Sequence, residues 1–91
     1  MSVTVNIPSV LRTYCGGDRK LAVEADTLGS ALGELKRHHP SLYVCVCDET
    51  GAVRRHVNVF VNALRMQDRE GMETKITTED EITILPAVSG G

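Results

Sequence analysis

Asp26-Thr-Leu-Gly-Ser-Ala-Leu-Gly-Glu-Leu-Lys-Arg-His-His-Pro40 is the stretch that decides the fold. Leu28, Ala31, Leu32 and Leu35 fall at i, i+3, i+4 and i+7, one apolar stripe along a helix. Asp26 and Thr27 precede the stripe, and the side-chain oxygens of both types accept from the orphan amides of a first turn. Lys36, Arg37 and His38 close it, where positive charge complements the helix dipole. Pro40 stops the helix, because the residue before a proline is pushed away from helical angles. By this pattern it is the only convincing helix in the chain.

Outward from it, the period changes from 3.6 to 2. Val3, Val5 and Ile7 alternate with Thr4, Asn6 and Pro8, and Leu21 and Val23 alternate with Lys20, Ala22 and Glu24. Residues 12–19 connect these two strands through the turn chemistry of Gly16-Gly17-Asp18, giving an N-terminal hairpin. After the helix, residues 42–53 are hard to read: Tyr43, Val44 and Val46 fit a short helical turn or an extended connection. Val57, Val59 and Val61 then alternate with Asn58, Phe60 and Asn62 in a third strand. Residues 62–67 form a short fourth, with Met66 inward, and Met72 and Ile76 reach the core from the loop that Gly71 opens. The last strand puts Ile82 and Ile84 on one side, Thr83 and Leu85 on the other. Strand, strand, helix, strand, short strand, strand is an α+β layer with the helix on one face of the sheet. On the opposite face Phe60 and Leu85 form an apolar pair of the kind that marks an interface.

Length and composition narrow the function. Ninety-one residues fit a single domain, 1–91, able to bury a modest core without staples. With 42% hydrophobic and 24% charged residues and a formal net charge of -2, the chain has no basic stripe for nucleic acid or an anionic membrane. No apolar run approaches the roughly 20 residues that span a bilayer. The N-terminus alternates like a strand and lacks signal-peptide character, so a cytoplasmic location is expected. Three cysteines, Cys15, Cys45 and Cys47, are an odd number and read as reduced, partly buried thiols. Cys45-Val-Cys47 is neither a redox nor a zinc spacing, and no metal site is expected. Adjacent histidines such as His38 and His39 project about 100° apart on a helix and rarely chelate one ion. Arg54-Arg55-His56 reads as a solvated loop in preference to a contact for an acidic partner surface.

The end of the chain is chemically distinctive. Ile82-Thr-Ile-Leu-Pro-Ala-Val-Ser-Gly-Gly91 runs from a β-branched strand through Pro86 into small residues. Pro86 cannot donate to a ladder and marks a strand end, so 87–91 is expected to be a flexible tail. Gly90 and Gly91 carry no side chains, and a narrow channel on a partner can close around bare backbone up to the α-carboxylate.

This order and tail resemble the ubiquitin-like (β-grasp) sulfur carriers. The family includes the small subunit of molybdopterin synthase, the thiamine sulfur carrier and the carrier of thiocarboxylate-dependent cysteine synthesis. The last is the most similar. The similar wording lies in Val3-Thr-Val-Asn-Ile-Pro8, Gly16-Gly17, Asp26-Thr-Leu-Gly29, Val57-Asn-Val-Phe-Val-Asn62 and 82–91, with 42–53 unmatched. Ser89 stands where alanine is more usual.

The resemblance implies a β-grasp fold, a mixed sheet of four to five strands with one main helix packed on one face. It also implies a protein co-substrate and not an enzyme. A ubiquitin-activating-like enzyme would adenylate the Gly91 carboxylate, and a sulfur donor would open the adenylate to a thiocarboxylate. A synthase, for cysteine one carrying an aminoacrylate on pyridoxal phosphate, would accept the sulfur. A metalloprotease would release product or trim the tail. ATP and pyridoxal phosphate belong to the partners, and this chain binds no cofactor. Leu85, with Phe60 and Pro86, would form the docking surface, and Val88, Ser89 and Gly90 would be the tail residues recognised in the partner's groove.

Four rival readings stand beside it: the permanently bound small subunit of molybdopterin synthase, a carrier for another sulfur-containing metabolite, a ubiquitin-like modifier joined to lysines through Gly91, and a thiol enzyme. The last would use Cys45 or Cys47 with His38, His39 or His56, yet no spacing sets a base beside a thiol.

Overall fold

Thr27 opens the first helix, α1 (Leu28–His38), through a reciprocal cap. The Ser30 amide donates to Thr27 Oγ1 at 3.1 Å, and the Thr27 amide donates to Ser30 Oγ at 3.1 Å. Two orphan donors of the first turn are thereby satisfied. The leucine stripe behind the cap is fully packed: Leu28, Ala31 and Leu35 are 0% exposed and Leu32 3%. In this computed structural model, which describes residues 2–86, the stripe lies on a five-stranded sheet of order β2-β1-β5-β3-β4. The strands are β1 (Ser2–Asn6), β2 (Lys20–Glu24), β3 (Val57–Val61), β4 (Leu64–Arg65) and β5 (Glu81–Pro86).

β1 and β2 form the expected antiparallel hairpin, Val3 opposite Val23 and Val5 opposite Leu21. β5 then returns between β1, which it meets in parallel, and β3, which it meets antiparallel. Val3, Val5, Val59, Val61, Ile82 and Ile84 all face the helix side, each at most 1% exposed. Alternation had placed every one of them there, because a half-buried strand sends apolar residues to one face.

Three local departures from the sequence expectation have physical causes. α1 is not the only helix, because 42–53 opens with a second, α2 (Pro40–Val46). Pro40 sits in its first turn, where the missing amide costs nothing, so it starts a helix as well as stopping one. Leu42 and Val46, four apart and both 0% exposed, anchor α2 beside α1. The loop after β1 contains a 3-10 helix, Ser9–Cys15, which closes at Gly16 and Gly17 with φ of 74° and 87°. β4 spans two residues and not 62–67, since the chain tightens into a 3-10 turn at Met66–Asp68. Met66 still packs against the core, as do Met72 and Ile76.

Asn62 carries the reversal between β3 and β4 at φ 56°, a left-handed conformation that asparagine tolerates better than most residues. Its side chain ties three segments together. Oδ1 accepts from the Glu81 amide at 3.0 Å, and Nδ2 donates to Asp80 Oδ1 at 2.9 Å. The Thr77 amide donates to Asp80 Oδ2 at 2.9 Å. The Asn62 side-chain amide, followed by the Thr77 backbone N–H, holds the Asp80 carboxyl below its ordinary pKa of 3.8. Folding therefore favours the carboxylate, so its contribution is present above the ordinary pKa and is lost as pH falls through the lowered folded value. Asp80→Asn is expected to reduce stability near neutral pH, with the deficit shrinking as the sample is acidified to about pH 2. Denaturant midpoints across that range check it, and a deficit that does not change with pH would deny the carboxylate this role.

Candidate functional site

The open face of the sheet is built by the residues that alternate with the core. On β5 these are Glu81, Thr83 and Leu85; on β3, Asn58 and Phe60. Leu85 is 43% exposed, whereas its neighbour Ile84 is 0% exposed. The register sets Leu85 opposite Asn58 and Phe60 opposite Thr83. Phe60 and Leu85 are therefore diagonal on one face, one step apart along the ladder, within reach for side chains of their size. Two of the three docking residues expected from the sequence thus lie on the face away from the helices, Phe60 half-buried and Leu85 exposed.

Sequence periodicity alone did not show what surrounds them. Arg65 pairs with Phe60 from β4 and sets a cation at the margin of the patch. Asn6 comes from β1, its Nδ2 donating to Glu81 Oε1 at 2.8 Å and to Thr83 Oγ1 at 3.1 Å. The signal for these neighbours is the register, which no single strand contains. Pro86, exposed at the end of β5, sits opposite Val57, and its missing amide ends the ladder at that point. Val88, Ser89, Gly90 and Gly91, the tail residues singled out in the sequence, lie outside the described residues.

The thiols are placed as structural groups. Cys15 is buried, its Sγ facing the carbonyls of Asp18 at 3.5 Å and Arg12 at 3.6 Å. Cys47 is also buried, and Cys45 is half-buried with its Sγ 3.4 Å from the Ser41 carbonyl. Burial pushes the Cys15 and Cys47 thiols up, away from the thiolate that a nucleophile requires. Burial, with the Cys47 thiol beside it, also raises the Tyr43 phenol. Among the described residues no group of three or more His, Cys, Asp or Glu side chains is placed to hold a metal ion. No helix among them is long and apolar enough to cross a membrane.

A β-grasp sheet with an apolar pair on its open face, Phe60 from β3 and Leu85 from the central strand β5, defines a class: the small ubiquitin-like proteins. Within that class, residues 5–91 match the model of the ThiS family, and the chain belongs to that family of sulfur carriers, which are not catalysts. It is 37% identical over 93 aligned positions to the sulfur carrier protein CysO of Mycobacterium tuberculosis, with 100% of both chains covered. The crystal structure of that CysO superposes with a TM-score of 0.85 at 35% identity, covering 94% of this chain and 99% of the other. CysO in the Amycolatopsis orientalis BexX/CysO complex superposes at 0.87 with 32% identity, covering 98% and 99%. The small archaeal modifier protein 1 of Haloferax volcanii is 33% identical over 78 residues, 82% of this chain and 85% of that one. The fold is the β-grasp expected, with five strands and two helices on one face.

Proposed function

We propose that this sulfur carrier bears its sulfur as a thiocarboxylate on Gly91 and delivers it to a biosynthetic synthase, with cysteine as the product. The observation that carries the proposal is the setting of β5. The strand is clamped between two neighbours and ends at Pro86 with Leu85 outward, and the family match continues from it through Gly91. The CysO relatives support the choice of product.

The Gly91 carboxylate, ionised near neutral pH because its reference pKa is about 3.5, attacks the α-phosphorus of ATP held by an adenylating partner and expels pyrophosphate. Sulfide then adds to the acyl carbon and AMP leaves, giving the thiocarboxylate directly. A persulfide donor gives an acyl disulfide instead, and a second thiol then attacks its S–S bond, forming a disulfide with the donor's sulfur and releasing the thiocarboxylate. That sulfur is nucleophilic at neutral pH and attacks an electrophilic carbon held by the synthase. Hydrolysis, by a metalloprotease in the cysteine case, frees the product and restores the carboxylate. Nucleotide and cofactor reside in the partners. This chain contributes a docking face and one terminal carbonyl carbon. The A. orientalis complex, in which a CysO sits with BexX, supports a carrier that docks on a protein partner.

Intact mass after incubation with ATP, a sulfide source and the adenylating enzyme of the same organism tests the proposal. The expected gain equals one oxygen-for-sulfur exchange. A folded sample that gains nothing sinks it. The Haloferax relative, itself named a modifier, supports a second reading in which Gly91 forms isopeptide bonds with lysines. Higher-mass conjugates that survive reduction on a blot against this chain would establish that activity.

A further inference from the structure

Strand direction gathers four distant segments at the tail end of the sheet. β1 runs parallel to β5, so the 3-10 helix that follows β1 emerges where β5 ends. β3 runs antiparallel to β5, so the segment entering β3 from α2 arrives at the same place. There Val10, Tyr14, Val44, Arg54, His56 and Pro86 line a cleft of about 380 Å³. Val10 is 63% exposed, Tyr14 45% and Val44 57%, three of the five large apolar side chains exposed among the described residues. Arg54 is fixed at the rim, its Nε donating to the Val44 carbonyl at 2.8 Å, and His56 beside it is exposed. Among the described residues no carboxylate lines the cleft. An apolar floor with the Arg54 guanidinium at its rim matches one kind of occupant, an apolar side chain with a carboxylate beside it.

We infer that this cleft is a second docking surface for the adenylating partner, which seats such an acidic, apolar element in it. The inference rests on the carrier reading. Pro86, the residue from which the tail departs, is itself part of the cleft wall, so a protein that holds 87–91 meets this surface first. Leu85 faces the other side of the same strand end. Gripping both sides fixes the direction in which the carboxylate leaves the sheet, and misplacement by about 1 Å at a reacting atom can cost about 100-fold in rate. The chain's own tail, which leaves from Pro86, is the chief competitor for the cleft, and the test separates it from a partner.

The test is ATP–pyrophosphate exchange by the adenylating enzyme of the same organism, titrated with full-length wild-type, Val44→Glu and His56→Glu chains. Both altered positions are exposed, so the fold should persist, and circular dichroism confirms it. The expected result is a carrier KM raised about tenfold in each variant with kcat unchanged, together with a wild-type KM that rises with salt. Exchange with an unchanged KM in both folded variants overturns the cleft while leaving the carrier reading standing. No exchange by the wild-type chain overturns the carrier reading and the cleft with it. A lowered KM in the variants would mean that the chain's own tail fills the cleft. Loss of a wild-type dimer in sedimentation would mean that a second copy does, and either result also overturns the proposal.

Discussion

A chain lacking only Gly91 is expected to gain no sulfur under conditions in which the full chain is fully converted. The deletion leaves a C-terminal carboxylate of nearly the same pKa, on another glycine, and touches nothing in the described fold. Only the position of the group changes, by one residue, or about 3.5 Å of extended chain. In-line attack on phosphorus tolerates far less, so the expected loss exceeds about 100-fold and will read as no detectable mass gain. Gly91→Ala separates reach from width. Its carboxylate has the right reach, and its methyl group must pass whatever channel holds the backbone, so conversion should be slowed and not abolished. Normal conversion of the deleted chain would place the acylated group elsewhere and end the thiocarboxylate proposal at Gly91.

What was legible from sequence and what was not follow one physical division. Elements whose evidence is local were readable. The stripe of Leu28, Ala31, Leu32 and Leu35 is buried as a unit, and Val57, Val59 and Val61 face inward. Pro40 misled because one residue has two meanings, helix stop and helix first turn, and α2 is too short for periodicity to choose between them. Features made by juxtaposition were not readable at all. Leu85 could be sent outward by alternation, but its partner Asn58 and the Phe60–Arg65 pair depend on register across strands far apart in sequence. The cleft is the extreme case. Arg55 and His56 are exposed, as the solvated-loop reading has them, but only the sheet brings Val10, Tyr14 and Val44 to the cleft that Arg54 and His56 line.

Ile84 and Leu85 allow the two halves of that division to be measured on adjacent residues. Ile84→Ala is expected to destabilise the fold by about 2–5 kcal/mol, since a fully buried side chain is removed from the centre of the sheet and its site can collapse only in part. For a domain of this size each kcal/mol shifts Tm by about 4–8 °C, which predicts a fall of roughly 8–40 °C. At temperatures where it remains folded, the variant should be adenylated with a nearly normal KM, because its outward face is intact. Leu85→Glu should do the reverse. A half-exposed position on the open face changes stability by no more than about 0.5 kcal/mol. A charge forced into an apolar contact at the centre of an interface costs about 2 kcal/mol or more, which appears as a carrier KM raised roughly 30-fold. Melting curves and exchange kinetics on the same two samples check both claims. If Leu85→Glu melts near the wild type and is activated with unchanged kinetics, the outward apolar pair is not where the partner docks, and the affinity must come from the tail and the cleft alone.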